Sequence, residues 1–329
     1  MLNLAFVGLG FMAATHLKAL RQVPGVHAAA LCNPSGRHLD GDFTGVAGNV
    51  GDNAPVKLEP GSFKAFRDYA ALLADPDIHA VDICAPTLAH RDLAIAALRA
   101  GKHVLCEKPL ARTAAQAREM AAVAAETGRI LMPAMCLRFF PEWVWVRAAI
   151  ADGRFGKVLS ARFRRVAEPP GWGQQNFLDG AKSGGALLDL HIHDTDFVQF
   201  CFGRPRAVRS AGYSKISGAI DHVVTEYEVA GGALVHAEGA WCFTPGFGFN
   251  MSYTVNFERA TVDYDLARGA DALKLGQPDG YVGELRHFAE CCTAGMPTTV
   301  VTAADGVSAM EICEAEEASV REGRRIELA

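Results

Sequence analysis

The sequence predicts an α/β protein built from an N-terminal doubly wound parallel sheet and a C-terminal α+β domain with a large open, mostly antiparallel sheet. Short apolar runs alternate with helical patterns in the first third, which is the order of parallel βαβ units. Later segments are runs of strands with few helices between them. A length of 329 residues suits about two domains. We expect domains at residues 1–125 and 126–329.

The predicted N-terminal elements alternate in type along the chain. The strands are nearly continuous apolar runs, as in sheets covered on both faces. The predicted strands are Leu2–Gly8, Val26–Cys32, Ile78–Ala85 and His103–Cys106, and the predicted helices are Phe11–Gln22, Phe66–Leu73, His90–Ala100 and Ala114–Thr127. A helix is expected after the second strand, but Arg37–Phe63 contains five glycines and no helical period. We predict a long loop there.

The second part is dominated by predicted strands. These are Val158–Val166, Ala207–Tyr213, His222–Ala230, Ala233–Trp241, Met251–Phe257 and Thr261–Leu266. Gly231 and Gly232 separate two of them, which predicts a hairpin. The predicted helices are Gly184–Phe202, Gly283–Thr293 and Ala303–Arg321.

Composition limits the partners and the compartment. There are 32 basic and 37 acidic residues, a net charge of −5, which argues against nucleic acid or an anionic membrane as the main partner. Apolar stretches are too short to span a membrane. Nine cysteines without a Cys-x-x-Cys pair, and a start without signal-peptide features, predict a cytoplasmic protein with reduced thiols.

A glycine-rich turn follows the first predicted strand. Gly8, Gly10 and Ala13 form a GxGxxA pattern that opens the first helix. The first glycine permits a tight turn, the second lets the backbone approach a pyrophosphate, and Ala13 allows close packing. Gly8, Gly10, Phe11 and Met12 are therefore candidate cofactor-binding residues at a helix N-terminus. The alternative is a plain glycine turn.

The end of the second strand bears on which dinucleotide binds. An acid normally binds the ribose 2′-hydroxyl here, but this chain has Asn33. Asn33 would not repel a 2′-phosphate, and Ser35 and Arg37 could bind it. We expect NADP or NAD, with a slight preference for NADP. The alternative for Arg37 is a solvated loop residue.

Five segments occur in an order typical of one family. They are the GLGFMAATH opening, Asp82–His90, Gly101–Pro109, Leu137–Pro141, and Ser183–Asp189 continuing to His193. The chain resembles, over nearly its whole length, the glucose–fructose oxidoreductase / inositol dehydrogenase (Gfo/Idh/MocA) family of NAD(P)-dependent oxidoreductases. The sequence departs from that family's pattern at Asn33, at the glycine-rich loop, and at His191, where the family typically has glycine.

The resemblance implies a Rossmann domain, a second domain with an open sheet, and a nicotinamide between them. It implies that Lys108 is the catalytic lysine and that Asp189 and His193 are the acid–base pair. Further cofactor-binding candidates lie in the matching motifs: Ala85, Pro86, Thr87, His90, Glu107 and Lys108 itself.

These three catalytic candidates make chemical sense for alcohol oxidation. His193 titrates near neutrality and suits the hydroxyl proton. Asp189 is four residues earlier, offset by about 40° on a helix, so it could orient the imidazole or contact a substrate hydroxyl. Lys108 could stabilise a developing alkoxide or relay a proton. A surface turn is the alternative for Glu107-Lys108-Pro109.

Other polar and aromatic residues are weaker candidates for the substrate site. They are Arg138, Trp172, His191 and Tyr281, with a packed hydrophobic anchor as the alternative for Trp172. His191, His193, Asp194 and Asp196 suggest a metal, but His191 and His193 point about 200° apart on a helix, so we predict no metal site. Asp196 is better explained as an internally bonded residue.

We therefore expect an NAD(P)-dependent dehydrogenase or reductase acting on CH–OH groups of a sugar, polyol or sugar derivative. A redox-assisted hydrolase or diol reductase would use the same cofactor cleft. The alternative is a catalytically inactive dinucleotide-binding sensor or corepressor. Because the second sheet would leave apolar residues such as Val224 and Tyr227 uncovered, we also expect a homodimer or homotetramer through it.

Overall fold

The computed structural model describes residues 1–46, 48, 54–171, 173–268 and 279–328. The chain forms two compact units. The first unit contains Met1–Ala111, Ala115–Cys136 and Pro278–Val307, and the second contains Arg112–Ala114, Leu137–Gln277 and Ser308–Ala329. A late segment of the chain thus belongs with the first unit. The boundary between residues 125 and 126 stays a prediction.

Strands and helices are numbered in chain order. The strands are β1 Leu2–Val7, β2 Val26–Cys32, β3 Lys64–Phe66, β4 Ala80–Ile83, β5 His103–Cys106, β6 Leu131–Pro133, β7 Val158–Ala167, β8 Ala207–Tyr213, β9 His222–Glu228, β10 Leu234–Ala240, β11 Phe249–Phe257, β12 Thr261–Asp265 and β13 Ile326–Glu327. The helices are α1 Phe11–Leu20, α2 Tyr69–Ala74, α3 Thr87–Arg99, α4 Ala114–Thr127, α5 Pro141–Asp152, α6 Gln174–Phe177, α7 Gly180–Ser183, α8 Ile192–Phe202, α9 Gly280–Ala294 and α10 Ala303–Glu322.

The first unit is a six-stranded sheet in the order β3-β2-β1-β4-β5-β6. Its pairs are all parallel, which confirms the doubly wound sheet. The central strand β4 is buried at every position, as expected for a strand covered on both faces. In this topology the order in which strands are added to the sheet reverses between β1 and β4, and ligands bind beside the carboxyl ends of those strands.

The region after β2 differs in part from the sequence prediction. The predicted helix Phe66–Leu73 is wrong at its start, because Lys64–Phe66 pairs with β2 and the helix begins at Tyr69. The Asp68 side chain accepts a hydrogen bond from the Ala70 N–H, which fixes that start. The described residues between β2 and β3 contain no helix, in agreement with the predicted loop. An isolated antiparallel bridge joins Asp42 and Lys57 there.

The second unit is built on a seven-stranded sheet in the order β12-β11-β7-β10-β9-β8-β13. Its pairs are antiparallel except for β7 with β10, so the mostly antiparallel sheet is confirmed. Gly231 and Gly232 both have positive φ, 86° and 75°, in the loop that joins β9 to β10. The predicted hairpin is therefore present.

One face of this sheet carries an aromatic core. Trp143 of α5 lies 4.8 Å from Phe197 and 5.2 Å from Tyr253 between ring centroids, and all three are buried. Tyr227 also faces this core, whereas Val224 is 41% exposed on the opposite face. The expectation that these two share the uncovered face is wrong, because residues three apart on a strand point to opposite faces.

The predicted helix Gly184–Phe202 contains a wide turn. Residues Leu187–His191 form a π-helical turn that continues directly into α8. Such turns insert extra backbone into a helix and occur often at functional sites. Among the residues that the structure describes, no helix is long and apolar enough to cross a membrane.

Candidate active site

The glycine turn after β1 has the geometry that the pattern predicts. Gly8 has φ of 84°, and a Cβ there would lie 2.6 Å from the backbone of Ala85. The turn therefore packs tightly on the loop that follows β4. A Cβ on Gly10, by contrast, would meet no described atom within 4 Å. Gly10 is the N-cap of α1 and no side chain caps the helix, so the N-terminus, with Phe11 and Met12 in its first turn, offers an open cradle to a phosphate.

The glycine-rich loop contacts this turn. A Cβ on Gly48 would lie 2.2 Å from the ring of Phe11, so only glycine fits at that contact. The sequence gives no reason to connect residue 48 with the phosphate turn, because the contact depends on how the loop folds back. Part of the loop lies outside the described residues.

At the end of β2, the Asn33 side chain is engaged by its own turn. Its Oδ1 accepts hydrogen bonds from the Ser35 N–H at 3.2 Å and the Ser35 hydroxyl at 3.0 Å, and its Nδ2 donates to the Arg37 carbonyl at 2.9 Å. Ser35 Oγ also accepts from the Arg37 N–H at 3.3 Å. Arg37 itself is exposed. Asn33 thus shapes the turn that carries Arg37.

A second arginine lies beside this turn. A Cβ on Gly36 would be 2.4 Å from Nη2 of Arg67, which follows β3 and is exposed. Arg37 and Arg67 therefore stand at the carboxyl ends of neighbouring parallel strands. Sequence reasoning missed Arg67 because β3 has only three residues, too few to show a strand pattern.

Lys108 follows β5 and is partly exposed. Its N–H donates to Oε2 of the buried Glu107 at 3.0 Å, and the peptide bond before Pro109 is cis. His90, buried on α3, has Nδ1 2.9 Å from the Pro109 carbonyl and Nε2 2.7 Å from the Ala85 carbonyl. Burial lowers the pKa of His90, against the pull of these two carbonyls. His90 thus ties together the loops after β4 and β5.

The loop after β4 contributes the remaining cofactor candidates. Ala85 is partly exposed, Pro86 is the exposed N-cap of α3, and Thr87 is the partly exposed first residue of that helix. They therefore border the same end of the sheet as Gly8 and Lys108. This edge of β1, β2, β4 and β5 collects all the cofactor candidates predicted from the sequence.

Behind Lys108 the first unit holds a buried group of ionisable side chains, here named the His16 cluster: His16, Asp82, Cys84, Glu107 and Glu284. His16 Nδ1 lies 2.8 Å from Asp82 Oδ2, and its Nε2 lies 3.3 Å from Glu107 Oε1 and 3.9 Å from Glu284 Oε2. The cluster joins α1, β4, β5 and α9. The sequence signal for it is a histidine on the apolar face of α1, in line with the buried Ala13, Leu17 and Leu20.

Asp189 and His193 lie on the wide helix of the second unit. The ionisable side chains of residues 187–196 divide by burial: Asp189 and His193 are partly exposed, whereas His191, Asp194 and Asp196 are buried. Asp194 pairs with Arg165 at 2.9 Å, and burial raises the pKa of Asp194 against that ion pair. The two residues predicted to act on the substrate are thus those that solvent reaches.

The weaker substrate candidates are placed as follows. Arg138 is 3% exposed and its Nε and Nη2 both donate to Asp196, at 2.8 and 2.7 Å, which also gives Asp196 the internal bond expected for it. His191 is fully buried, with Nε2 3.1 Å from the Tyr227 hydroxyl. Tyr281 is buried in the first unit, 5.7 Å from the His16 ring. Trp172 lies outside the described residues. The geometry gives Arg138 and His191 structural partners.

One group of side chains has a spacing compatible with a metal ion. His16, Asp82 and Cys84 each place one potential ligand atom within 4.8 Å of the others. The His16 and Asp82 atoms are already joined by a hydrogen bond, and burial raises the pKa of the Cys84 thiol well above its usual range. The absence of a metal site therefore stays a prediction.

The parallel sheet, the open phosphate cradle and the strand-end residues around it define a dinucleotide-binding α/β protein. Comparison with known families agrees. Residues 2–135 match the "Oxidoreductase family, NAD-binding Rossmann fold", and residues 143–263 match the "GFO/IDH/MocA C-terminal domain". The two matches cover well over half of the chain, and the chain belongs to the GFO/IDH/MocA oxidoreductase family.

Individual relatives support this assignment. The chain is 37% identical over 213 residues to 1,5-anhydro-D-fructose reductase of Ensifer adhaerens, covering 61% of this chain and 62% of that protein. It is 34% identical to trans-1,2-dihydrobenzene-1,2-diol dehydrogenase of Bos taurus, covering 59% and 56%. The matched part thus spans less than two thirds of these relatives. The crystal structure of GenD2 from gentamicin A biosynthesis, in complex with NAD, has a TM-score of 0.84, 25% identity and coverage of 100% and 96%.

Proposed function

We propose that the protein is an NAD(P)-dependent oxidoreductase that transfers a hydride between the nicotinamide and a secondary alcohol or ketone of a sugar, polyol or sugar derivative. The observation that carries the proposal is the open N-terminus of α1 at Gly10, on the same sheet edge as Lys108. A bound dinucleotide supplies the hydride acceptor or donor. Family membership and the named relatives support sugar-like substrates.

We assign the proton transfer to three side chains. His193 is the general base in alcohol oxidation and the general acid in ketone reduction, because an imidazole exchanges protons near neutral pH. Asp189 orients His193 or binds a neighbouring hydroxyl. Lys108 provides the cation that stabilises the alkoxide. That these ionisable groups are partly exposed favours an enzyme over an inactive sensor.

The cofactor is proposed to be NADP in preference to NAD. The residue that follows β2 is Asn33, which carries no charge to repel a 2′-phosphate, and its side chain is engaged in its own turn. Arg37 and Arg67 bring two exposed guanidinium groups to that turn. Arginine binds phosphate with two parallel hydrogen bonds, which suits this role.

The proposed active species is a homodimer or homotetramer in the cytoplasm. The outer face of the second sheet carries the exposed Val224 and Leu234 together with charges of both signs, such as Arg164 paired with Glu238 at 2.9 Å. A face with apolar centres and mixed charges can be complementary to itself, as a two-fold interface requires. We therefore propose a second copy of the chain as its partner.

The proposed chemistry is tested with two alanine variants. Loss of a positioned acid–base group typically lowers a rate by about 10²–10⁴. We expect His193→Ala to lower kcat by that order while the cofactor still binds, and Lys108→Ala to do at least as much. The measurements are NAD(P)H absorbance with 1,5-anhydro-D-fructose and a panel of sugars and polyols, and cofactor titration by fluorescence.

A matched control is His27→Ala, on β2, which should keep kcat within about twofold since it removes a histidine that has no part in the chemistry. Near-normal kcat in His193→Ala would mean that another group moves the proton. Full activity in both His193→Ala and Lys108→Ala would overturn the proposed mechanism.

A further inference from the structure

The His16 cluster connects the cofactor helix to the lysine turn. His16 lies on α1, whose N-terminus is the phosphate cradle, and Glu107 immediately precedes Lys108. Three contacts run in series: Asp82 to His16 at 2.8 Å, His16 to Glu107 at 3.3 Å, and Glu107 to the Lys108 N–H at 3.0 Å. His16 and Asp82 are fully buried and Glu107 is 6% exposed. Solvent therefore screens these charges little.

The imidazole of His16 lies between two carboxyl groups. His16 Nδ1 is hydrogen-bonded to Asp82, and Nε2 approaches Glu107 at 3.3 Å as an ion-pair contact without hydrogen-bond geometry, an arrangement that suits a protonated ring. Burial would lower the pKa of His16, but the Asp82 carboxylate and the Cys84 thiol together raise it well above its usual range. Burial would raise the pKa of Glu107, but His16 and Lys108 together lower it. The contacts thus form a row of four groups: the Asp82 carboxylate, the His16 imidazolium, the Glu107 carboxylate and Lys108.

Glu284 of α9 faces the same imidazole without belonging to this row. Its Oε2 is 3.9 Å from His16 Nε2, and burial raises its pKa well above the usual range. Tyr281, on the same helix, is a buried phenol whose pKa burial also raises. The row itself consists of Asp82, His16 and Glu107.

We propose that His16 is a positioning residue for Lys108: held by Asp82, its ring fixes the Glu107 carboxyl group, and Glu107 in turn holds the backbone N–H of Lys108 and the turn that presents the lysine. The inference rests on the proposed function only in giving Lys108 a part in the reaction. His90 of α3 also acts electrostatically on Lys108, and burial lowers the pKa of His90.

Opposite charges in the row give opposite effects on the lysine. Glu107 and Lys108 act on each other electrostatically, so Glu107→Gln removes a charge that favours the ammonium, and labelling of Lys108 should set in at lower pH. His16→Gln removes a positive charge, so labelling of Lys108 should set in at higher pH. A purely structural role would not produce two shifts of opposite sign.

The experiment is competitive acetylation of the whole protein over a range of pH, with the extent of Lys108 labelling read by peptide mass spectrometry. The matched control is Glu284→Gln, which keeps the shape of a buried side chain whose pKa burial raises, and it should leave the pH dependence of Lys108 labelling nearly unchanged. If His16→Gln does not fold, Asp82→Asn removes the charge that holds the imidazolium and should give a shift of the same sign.

The labelling experiment needs no substrate, so its result does not depend on whether the protein turns over a substrate. Shifts of the same sign in Glu107→Gln and His16→Gln, or shifts no larger than that of Glu284→Gln, would overturn the inference. Where wild-type turnover is found, Glu107→Gln should lower kcat about tenfold and leave the KM of the cofactor within about threefold. A wild-type protein with no turnover would count against the proposed function alone.

Discussion

At the scale of single residues, the side chains in the turn after β2 have two different roles. Asn33 and Ser35 shape the turn, whereas Arg37 is exposed to solvent. Asn33 was predicted to face the ribose hydroxyl and Ser35 a 2′-phosphate, but their side chains bond each other and the Arg37 backbone. The guanidinium groups of Arg37 and Arg67 are exposed. We therefore assign the proposed recognition of a 2′-phosphate to these two arginines.

Arg37→Ala and Arg67→Ala should each weaken NADP binding more than NAD binding, by about tenfold, because only NADP carries the phosphate that a guanidinium binds. The measurement is the Kd of each reduced cofactor by fluorescence titration. Arg99→Ala, an exposed arginine at the end of α3, is the control and should change neither Kd. Equal losses for NADP and NAD in both variants would show that these arginines do not read the phosphate.

At the scale of elements, the buried pair of Arg138 and Asp196 fastens the 3₁₀ turn Cys136–Arg138 to α8. Both side chains are almost fully buried, and the Arg138 guanidinium also lies 4.5 Å from the ring centre of Phe200. The pair thus holds the start of the second unit against the helix that carries His193. This is a role in stability, and it competes with the substrate role predicted for Arg138.

Arg138→Met should lower the free energy of unfolding by about 3–5 kcal/mol, because it leaves the Asp196 charge buried without its partner. Urea denaturation measures the change. Arg154→Met is the control: it breaks an ion pair with Asp152 in which both side chains are nearly half exposed, so it should cost under about 1 kcal/mol. A raised KM with unchanged stability in Arg138→Met would instead support contact with the substrate.

The elements also show which parts of the fold can be predicted from sequence. The six longer strands of the second sheet are recovered because alternation over five or more residues is visible. Strands β3, β6 and β13 have three, three and two residues, which is too short for any period to appear. Helix α5 is left unassigned although Pro141 is at its first position, because aromatic residues interrupt its apolar period.

The candidate site was predictable to a similar extent. Residues in local motifs, such as Gly8, Gly10 and Lys108, are recognised by their place at strand ends. The wide turn Leu187–His191 differs from an α-helix only in which backbone groups hydrogen-bond, so it leaves no periodic pattern in the sequence. The His16 cluster joins residues from four elements, and such contacts follow only from the packed structure.

At the scale of the whole molecule, the outer face of the second sheet bears on assembly. Val224 and Leu234 are 41% and 55% exposed on neighbouring strands, and Glu238, opposite Val224 on β10, is paired with Arg164. The apolar side chains gain from burial, and Glu238 and Arg164 already pair with each other within the chain. The face is therefore suited to meet a second copy of itself.

Light scattering at micromolar concentration should give a mass of two or four times the 35.1 kDa chain. Leu234→Arg should reduce it toward a single chain, since an unpaired charge would be buried at the interface. Val144→Arg, on the exposed side of α5, changes a residue of similar exposure away from the sheet and should keep the mass of the wild type. A wild-type mass of one chain would end the proposal of assembly.

The return of Pro278–Val307 to the first unit has a consequence for synthesis on the ribosome. Helix α9 packs on α1, and it supplies Glu284 and Tyr281 to the surroundings of His16. The nascent chain can pair the six parallel strands early, but the buried face of α1 stays open until α9 has been made. Strands β7 to β12 of the second sheet are synthesised in that interval. The cofactor domain is thus begun first and completed almost last, so a chain released early would expose the ionisable interior of its own nucleotide fold to water.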